Sequence, residues 1–329
     1  MPQVVIIQVI YNNRNWLEPV FNAIFNQTFK DFKVVAVIAG NEDGGKEWLI
    51  NKFPQVKIID PNYNIGFAKG HNLVFNQFPA EFYQLVNPDL VMMPNYIEEM
   101  LKVFNDKAVG GATGKLYQIQ NSELALGNLK NPNNKILDST GVIIKKSGRA
   151  FDRGQHKVDL GQYDQVREVD AVSGAGCMYR SSALHSVAEI EANRQLSYFD
   201  ESFHSYWEDV DLSWRMKNAG WKNVFVPTAV GYHGRTAGSA QGGYLHFVNF
   251  VRHHRALPLR IRQLNYKNHI LMYIKNSPYF YPQFFIREFF MFFYILIFET
   301  QVLKVFPSLV SALFKIWKKR QKYVFKVQS

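Results

Sequence analysis

Three carboxylates in four positions, Glu208, Asp209 and Asp211, stand among Tyr206, Trp207, Leu212 and Trp214. From Asp209 onward, Val210, Trp214 and Lys217 recur at helical spacing, and Asn218-Ala219-Gly220 supplies a stop. Acids in a first turn suit the positive end of a helix dipole, and one or two of them would serve that purpose. Three beside large aromatics also point to a carboxylate that accepts a proton in a partly dry pocket.

A second candidate is Asn87-Pro88-Asp89. Pro88 fixes the local backbone, so Asp89 projects with little freedom. It is either part of an ordinary turn or a ligand for a hard divalent cation that in turn holds a diphosphate. His233, between Tyr232 and Gly234, is either a hydrogen-bonded structural histidine or the imidazole completing such a site, which would favour Mn²⁺ or Mg²⁺. Arg235 beside it has the right chemistry to meet a phosphate. Gly66-Phe67-Ala68-Lys69-Gly70 matches neither phosphate-loop spacing; it lets backbone pass close to a ligand or makes a tight strand-to-helix turn. Ser173-Gly174-Ala175-Gly176 has the same two readings. No Ser-His-Asp ordering and no Cys/His cluster competes with these.

The elements that must position these residues are legible in order. Val4 to Ile10 is a β-branched run, read as a strand buried on both faces. A helix is predicted over Trp16 to Gln27, a strand over Val34 to Ile38, a helix over Lys46 to Lys52 and a strand over Val56 to Ile59. Gly66 to Gly70 leads into a helix through Phe78, and Tyr83 to Val86 is a fourth strand. This alternation predicts a parallel α/β sheet with right-handed crossovers, whose ligands sit at the carboxyl ends of the strands. Tyr11, the loop from Gly40, Gly66 and Asp89 all fall on that rim. After a helix over Asn95 to Phe104, residues 110 to 165 are rich in Gly, Asn and Lys, with short strand-like pieces such as Gly141 to Lys145, and a mixed or antiparallel region with long loops is expected there. Val169 to Val172 and Val224 to Pro227 are predicted strands, with Gly231 to Arg235 as a loop after the second.

The 329 residues are 47% hydrophobic and 20% charged, globular values, with 15% aromatic. The single cysteine, Cys177, excludes an internal disulfide, fits a reducing compartment and is expected to be a small buried hydrophobe. No signal peptide is expected at the N-terminus. The net charge of +11 is concentrated: fourteen Lys/Arg and two Glu lie from Arg252 onward, which leaves about −1 for the rest. A boundary near residue 250 follows, giving a unit over 1–250 and a basic, aromatic helical extension over 251–329. Phe284 to Phe298 is too short in its charge-free part to span a bilayer. Val302 to Trp317 continues the apolar pattern, with Pro307 as a possible helix break, and Lys315, Lys318, Lys319, Arg320 and Lys322 follow. These are either interfacial helices on an anionic membrane, a cap on the first unit, or a homodimer contact. Nucleic acid explains the charge less well, because the aromatics are too continuous to be spaced stacking platforms.

Ile7-Gln8-Val9-Ile10-Tyr11-Asn12, Asn64 to Asn72, Asn87-Pro88-Asp89, Ser173-Gly174-Ala175, Glu208 to Leu212, Ala219-Gly220-Trp221 and Tyr232-His233, in that order, resemble glycosyltransferase family 2. Within it the chain is similar to the bacterial rhamnosyltransferase-like branch. The resemblance implies a GT-A fold, with a Rossmann-like, mainly parallel central sheet flanked by helices. It implies inverting, metal-assisted transfer of a sugar from a nucleotide-diphosphate donor to a glycan or lipid-linked acceptor. On it, Asp209 is the base, and Asp89 and His233 hold Mn²⁺ or Mg²⁺. Tyr11, Asn12, Gly66, Lys69, Asn87 and Asp89 fall on the donor side, and Trp207, Glu208, Gly174 and Ala175 on the acceptor side. Glu208 and Asp211 either orient the acceptor or cap the helix, and Trp207 either stacks on a sugar or packs in the core. Two positions depart from the pattern: Ile10 stands where the family has Thr, and Ile38 near where a strand-ending Asp is usual, so the base-binding contacts differ. The expected setting is the cytoplasmic face of the cell membrane, with the enzyme peripheral to it. Two rival readings are an inactive GT-A-like glycan-binding protein and a sugar-nucleotide pyrophosphorylase. The latter would want a Gly-rich basic signature after the first strand, where Tyr11 to Asn15 offers only Arg14.

Overall fold

A computed structural model of the chain describes residues 1–119, 135–190, 195–234 and 247–324. Arg235 and the side chain of Lys322 lie outside the described part. The chain begins β1 (Val4–Tyr11), α1 (Arg14–Phe25), β2 (Phe32–Gly40), α2 (Gly45–Lys52), β3 (Lys57–Ile59), α3 (Gly66–Gln77), β4 (Phe82–Leu85), β5 (Leu90–Met92), α4 (Tyr96–Val103) and β6 (Val109–Gln118). It continues β7 (Leu137–Ser139), β8 (Val142–Ile144), β9 (Ala150–Asp152), β10 (Arg167–Val169), β11 (Cys177–Arg180), α5 (Ser181–Ser186), β12 (Glu189–Ile190), β13 (Leu196–Ser197), α6 (Glu208–Asn218) and β14 (Lys222–His233). Helices α7 (Phe247–Ala256), α8 (Leu259–Asn276), α9 (Pro282–Phe298) and α10 (Phe306–Val324) follow.

The main sheet runs β10-β14-β6-β11-β4-β1-β2-β3, with β5 on β14 and β7 on β6. Its long ladders, β1 with β2 and β6 with β14, are parallel, and antiparallel pairing is confined to ladders of two or three residue pairs. The β-branched runs divide their side chains with period two. Val4, Ile6 and Ile10 of β1 enter one core with Val34, Ala36 and Ile38 of β2; Val5, Ile7, Val35 and Val37 enter the other. Helices α1 and α4 cover the first face, and α3, α5 and α6 the second. Both faces of the sheet are therefore dry, which is why β1 and β2 are apolar apart from the buried Gln8 and Lys33 near the start of β2.

The region from residue 110 is mixed and antiparallel as expected, with β8 over Val142–Ile144 paired antiparallel to β9; it also holds the ten-residue strand β6, between β14 and β11, whose glycines fit because neighbours crowd the places a Cβ would occupy. Pro227 does not end the last strand. Pairing with β6 breaks between Val226 and Val230, so Pro227 sits in the irregularity where its missing N–H costs no ladder bond, and β14 runs on to His233. Gly66 to Gly70 is the first turn of α3 itself.

The tail is packed against the sheet unit. Ile270, Leu271, Met272, Tyr273, Phe284, Leu309 and Ile316 share a core with Val142, Ala171, Phe203 and Val210. Pro307 lies in the first turn of α10, where proline is tolerated, so it opens that helix. Among the described residues no single helix is long and apolar enough to cross a membrane; Pro282–Phe298 and Thr300–Gln321 meet that test only together, bent by 117°.

Candidate active site

Asp89 and His233 are joined by sheet register. The short strand β5 pairs antiparallel with the end of β14, Leu90 opposite His233, which sets the preceding Asp89 beside the imidazole. His233 Nε2 is 3.2 Å from Asp89 Oδ1 and 3.3 Å from Asn87 Nδ2. On the other side of the ring Nδ1 is 2.8 Å from Asp138 Oδ2, on β7. Burial alone would lower the pKa of His233, but Asp89 and Asp138 outweigh it and hold it up, to about 9. Burial would raise Asp89, and the imidazolium beside it brings it below the usual carboxylate range. Asp138 is buried and was not anticipated, since nothing in the sequence around the three-residue strand β7 marks it. It fixes the ring with Nε2 toward Asp89, the arrangement that second-layer carboxylates impose on metal-binding histidines. Among the described residues no group of three or more His, Cys, Asp or Glu forms a ready cage. Asp89 and His233 fit a hard divalent cation as two adjacent ligands, with phosphate oxygens of a ligand supplying the others.

The three acids near the start of α6 have different surroundings. Asp209 lies part-exposed on the cleft wall; its Oδ2 accepts from the Gly174 N–H at 2.8 Å and its Oδ1 from its own helix's Val210 N–H at 2.8 Å. A Cβ on Gly174 would stand 3.0 Å from that Oδ2, so the glycine permits the approach. Burial raises the Asp209 pKa, and the two backbone donors moderate the rise. Glu208 is buried, and its carboxyl is pushed well above the usual range by burial and by the Asp209 charge. Asp211 neither orients a ligand nor caps the helix. Its Oδ2 accepts from Arg215 Nε at 2.9 Å and Lys275 Nζ at 3.0 Å, and its Oδ1 from Asn276 Nδ2 at 2.7 Å, all of it buried.

The segment feeding α6 is held in costly backbone. His204, Tyr206 and Trp207 have φ of 62°, 71° and 75°, a conformation that costs side-chain-bearing residues about 1–3 kcal/mol each. The tail holds them there: Asn268 Nδ2 donates to the carbonyls of Phe203, Ser205 and Tyr206 at 2.9, 3.0 and 2.9 Å. Trp207 Nε1 donates to Asn265 Oδ1 at 3.2 Å, and the indole packs edge-on against His269. From the other side Gly66, at φ 76°, passes so close to His204 that a Cβ would lie 2.7 Å from its carbonyl oxygen.

A cleft of about 750 Å³ connects these groups. Of the residues singled out in the sequence, Tyr11, Gly66, Asn87, Asp89, Gly174, Ala175, Trp207, Glu208, Asp209 and His233 line it. Asn12 does not; it ties the end of β1 to the next loop through Glu42, 2.6 Å from its Nδ2. Lys69 does not either, and lies against Tyr63 on the outside of α3. Ile10 and Ile38 point into the core, so the two departures from the family pattern put apolar side chains into packing. Tail residues line much of the remaining wall, which the sequence did not suggest.

A mainly parallel sheet flanked by helices, with Asp89 at its rim and Asp209 on the wall of the same cleft, has the architecture of a GT-A fold. Residues 2–258 match the family model described as Glycosyltransferase like family 2, and the chain belongs to that family. A Mycobacterium tuberculosis protein named N-acetylglucosaminyl-diphospho-decaprenol L-rhamnosyltransferase is 22% identical over 278 residues, covering 76% of this chain and 81% of that protein. An uncharacterized glycosyltransferase of Haemophilus influenzae is 26% identical over 103 residues, 30% of this chain and 32% of that one. Among solved structures, GalNAc-T7 with UDP, GalNAc and Mn²⁺ superposes with a TM-score of 0.57 at 11% identity, over 85% of this chain. This chain spans 50% of the length of that structure. The protein is a glycosyltransferase of GT-A fold.

Proposed function

We propose that the enzyme transfers a sugar with inversion from a nucleotide-diphosphate sugar to a hydroxyl of a lipid-linked glycan. The observation that supports this best is one cleft with Asp209 on its wall and the Asp89–His233 pair on its sheet rim. Asp209 takes the proton of the acceptor hydroxyl as that oxygen attacks the anomeric carbon, and the nucleotide diphosphate leaves from the opposite face. A raised pKa suits this base, because a carboxylate nearer neutrality is a better proton acceptor. The two N–H groups on its oxygens keep it aimed while it changes charge. Asp89 and His233 would hold Mn²⁺ or Mg²⁺, the cation replacing the proton the imidazole otherwise carries, with Asp138 fixing the ring. Bound there, the ion would supply positive charge to the departing diphosphate. The name of the mycobacterial relative, a rhamnosyltransferase with a diphospho-decaprenol acceptor, supports a polyprenyl-linked acceptor for this chain. A panel of nucleotide sugars with Mn²⁺, read as acceptor-dependent release of nucleotide diphosphate, tests the reading. Release from one donor, abolished by EDTA, is expected; release unaffected by EDTA removes the metal from the scheme.

We also propose that the tail rests on the cytoplasmic membrane surface. Phe285, Phe289, Phe290, Phe293 and Ile297 form an exposed face of α9, and Phe314 and Trp317 are exposed on α10. Lys315 and Lys318 stand beside the latter pair, and basic residues near an anionic leaflet contribute about 1 kcal/mol each. Aromatic burial adds a contribution that salt does not screen. Flotation with anionic liposomes should therefore weaken at high salt without vanishing; a protein that stays unbound at low salt refutes the placement.

A further inference from the structure

The cleft has a second end that the donor chemistry leaves unused. It lies beyond Trp207, between α8 and α9, and is walled by Leu257, Ile261, Met291, Ile295 and Val302 together with two arginines, Arg262 and Arg287. Along α8, Arg262, Asn265, Tyr266 and His269 all line it, spaced as one helical face. Asn265 and His269 touch Trp207, and Arg262 is one turn farther on, about 5 Å along the axis. That separation is on the scale of a single sugar ring.

Both arginines are steadied by acid, and Arg262 keeps donor capacity. Arg262 Nη1 is 3.4 Å from Glu299 Oε2, which also accepts from Tyr294 through its other oxygen. The Arg262 Nε is buried without a hydrogen-bond partner among the described residues, an arrangement that native proteins seldom leave unanswered. Arg287 Nη1 meets Glu288 and lies 3.0 Å from His269 Nδ1. A guanidinium has five N–H donors in a planar fork suited to phosphate, and at Arg262 the unpartnered Nε leaves one of them for a ligand. The wall between cleft and outside is one helix thick. Arg287, Met291 and Ile295 face inward from α9, while Phe289, Phe290 and Phe293 of the same helix are exposed outward.

We propose that this end is a subsite for the phosphate of an amphiphilic acceptor, held by Arg262 and Arg287, with its apolar chain leaving past Met291 and Ile295 toward the outer face of α9. This rests on the lipid-linked acceptor reading and adds where the acceptor's phosphate and chain lie. A nucleotide sugar held at Asp89 and His233 has no use for an apolar exit, whereas a sugar on a phosphorylated chain has one. The acceptor sugar then lies against Trp207 with its hydroxyl at Asp209, and its phosphate one turn of α8 away.

The test titrates the full-length protein with farnesyl diphosphate, farnesol and inorganic diphosphate, following Trp fluorescence, in EDTA so that no cation bridges at Asp89. Farnesyl diphosphate is expected to bind at least about ten-fold more tightly than either fragment, since it uses both walls. Arg262→Gln should weaken it about ten-fold and leave farnesol unchanged, with Arg262→Lys intermediate. Ile295→Ala, which trims the apolar wall without adding charge beside Arg262, should weaken farnesol and farnesyl diphosphate and spare inorganic diphosphate. Thermal melting of each variant separates lost binding from lost folding. Equal binding of farnesol and farnesyl diphosphate overturns the phosphate subsite. Inorganic diphosphate binding as tightly as the lipid diphosphate reduces the site to one for free diphosphate and overturns the acceptor assignment. The titration contains neither donor nor metal, so its failure leaves the transfer assay standing, and failure of the transfer assay leaves it readable.

Discussion

The two ends of the catalytic cleft are built in different ways. At the end proposed to take the diphosphate, Asp89, Asn87 and His233 stand at the ends of paired strands, where β-ladder register sets their spacing and Asp138, itself on a sheet strand, fixes the ring. At the end proposed to hold the base, Asp209 stands in the first turn of a helix whose lead-in is held in left-handed backbone by Asn268, from outside the sheet. The first end would keep its geometry as long as the sheet is intact. The second depends on the basic tail, which is therefore a wall and a clamp of the active site as well as a surface feature. Acids two residues apart make the same point: Asp209 faces the cleft, while Asp211 sits in a buried cluster with Arg215 and Lys275.

The largest effect that separates the two ends is expected from Asp209→Asn. The amide keeps the shape and removes the base, so transfer should fall about 10²- to 10⁴-fold while donor affinity stays within about two-fold. Turnover and donor titration measured on the same preparation check it, and near wild-type turnover would remove Asp209 from the role. Next in size is Lys275→Met. Lys275 Nζ lies 2.7 Å from Asp200, 3.0 Å from Asp211 and 3.1 Å from Glu189, and leaving those buried carboxylates without it should cost about 3–5 kcal/mol in urea unfolding. Of the activity left in folded protein, transfer should suffer more than donor binding; equal losses would mean that the tail supports both ends alike. Asp138→Asn probes the other end, where weakening of Mn²⁺ by about 10- to 100-fold is expected with the fold unchanged. A metal titration of transfer rate reads it, and an unaltered Mn²⁺ requirement would make Asp138 a packing residue only.

What was legible in the sequence follows the same division. β1, β2 and the crossovers could be read because strands dry on both faces must be almost wholly apolar, and Tyr11, Gly66 and Asp89 follow from where the strands and their crossovers reach the rim. The carboxylate cluster was legible as residue types in a row, but the different surroundings of Asp209 and Asp211 were not. They depend on Gly174, thirty-five residues earlier, and on Lys275 and Asn276, some sixty-five residues later. β6 escaped because its glycines are chosen by crowding from Met216, Asn223 and Tyr96, which local propensity does not contain. Asp138 and Asn268 left no local trace for a related reason: their partners are a ring nitrogen and three carbonyls of distant segments.

The smallest effect is a separation in pH, and it compares the carboxylates of the cleft with those of the tail clamp. Burial raises Asp209, and burial together with the neighbouring Asp209 charge raises Glu208, so the base loses its charge at a higher pH than an ordinary carboxylate. Glu189 and Asp200 behave oppositely. Burial would raise them, but Lys275 and Lys319 outweigh it and hold both below the usual range, Glu189 at about 2. For such depressed groups the contribution to stability is complete above the unfolded pKa of about 4 and is lost as pH falls toward the folded value. The clamp thus stays intact through weakly acidic conditions in which Asp209 is already taking up its proton. Acidification from neutrality should lower transfer reversibly, approaching ten-fold per pH unit on the acid limb, before near-UV circular dichroism reports any loosening of the tail. Coincident loss of activity and of the dichroism signal would show that acid inactivation is detachment of the clamp, and the two ends of the cleft would then share one acid sensitivity.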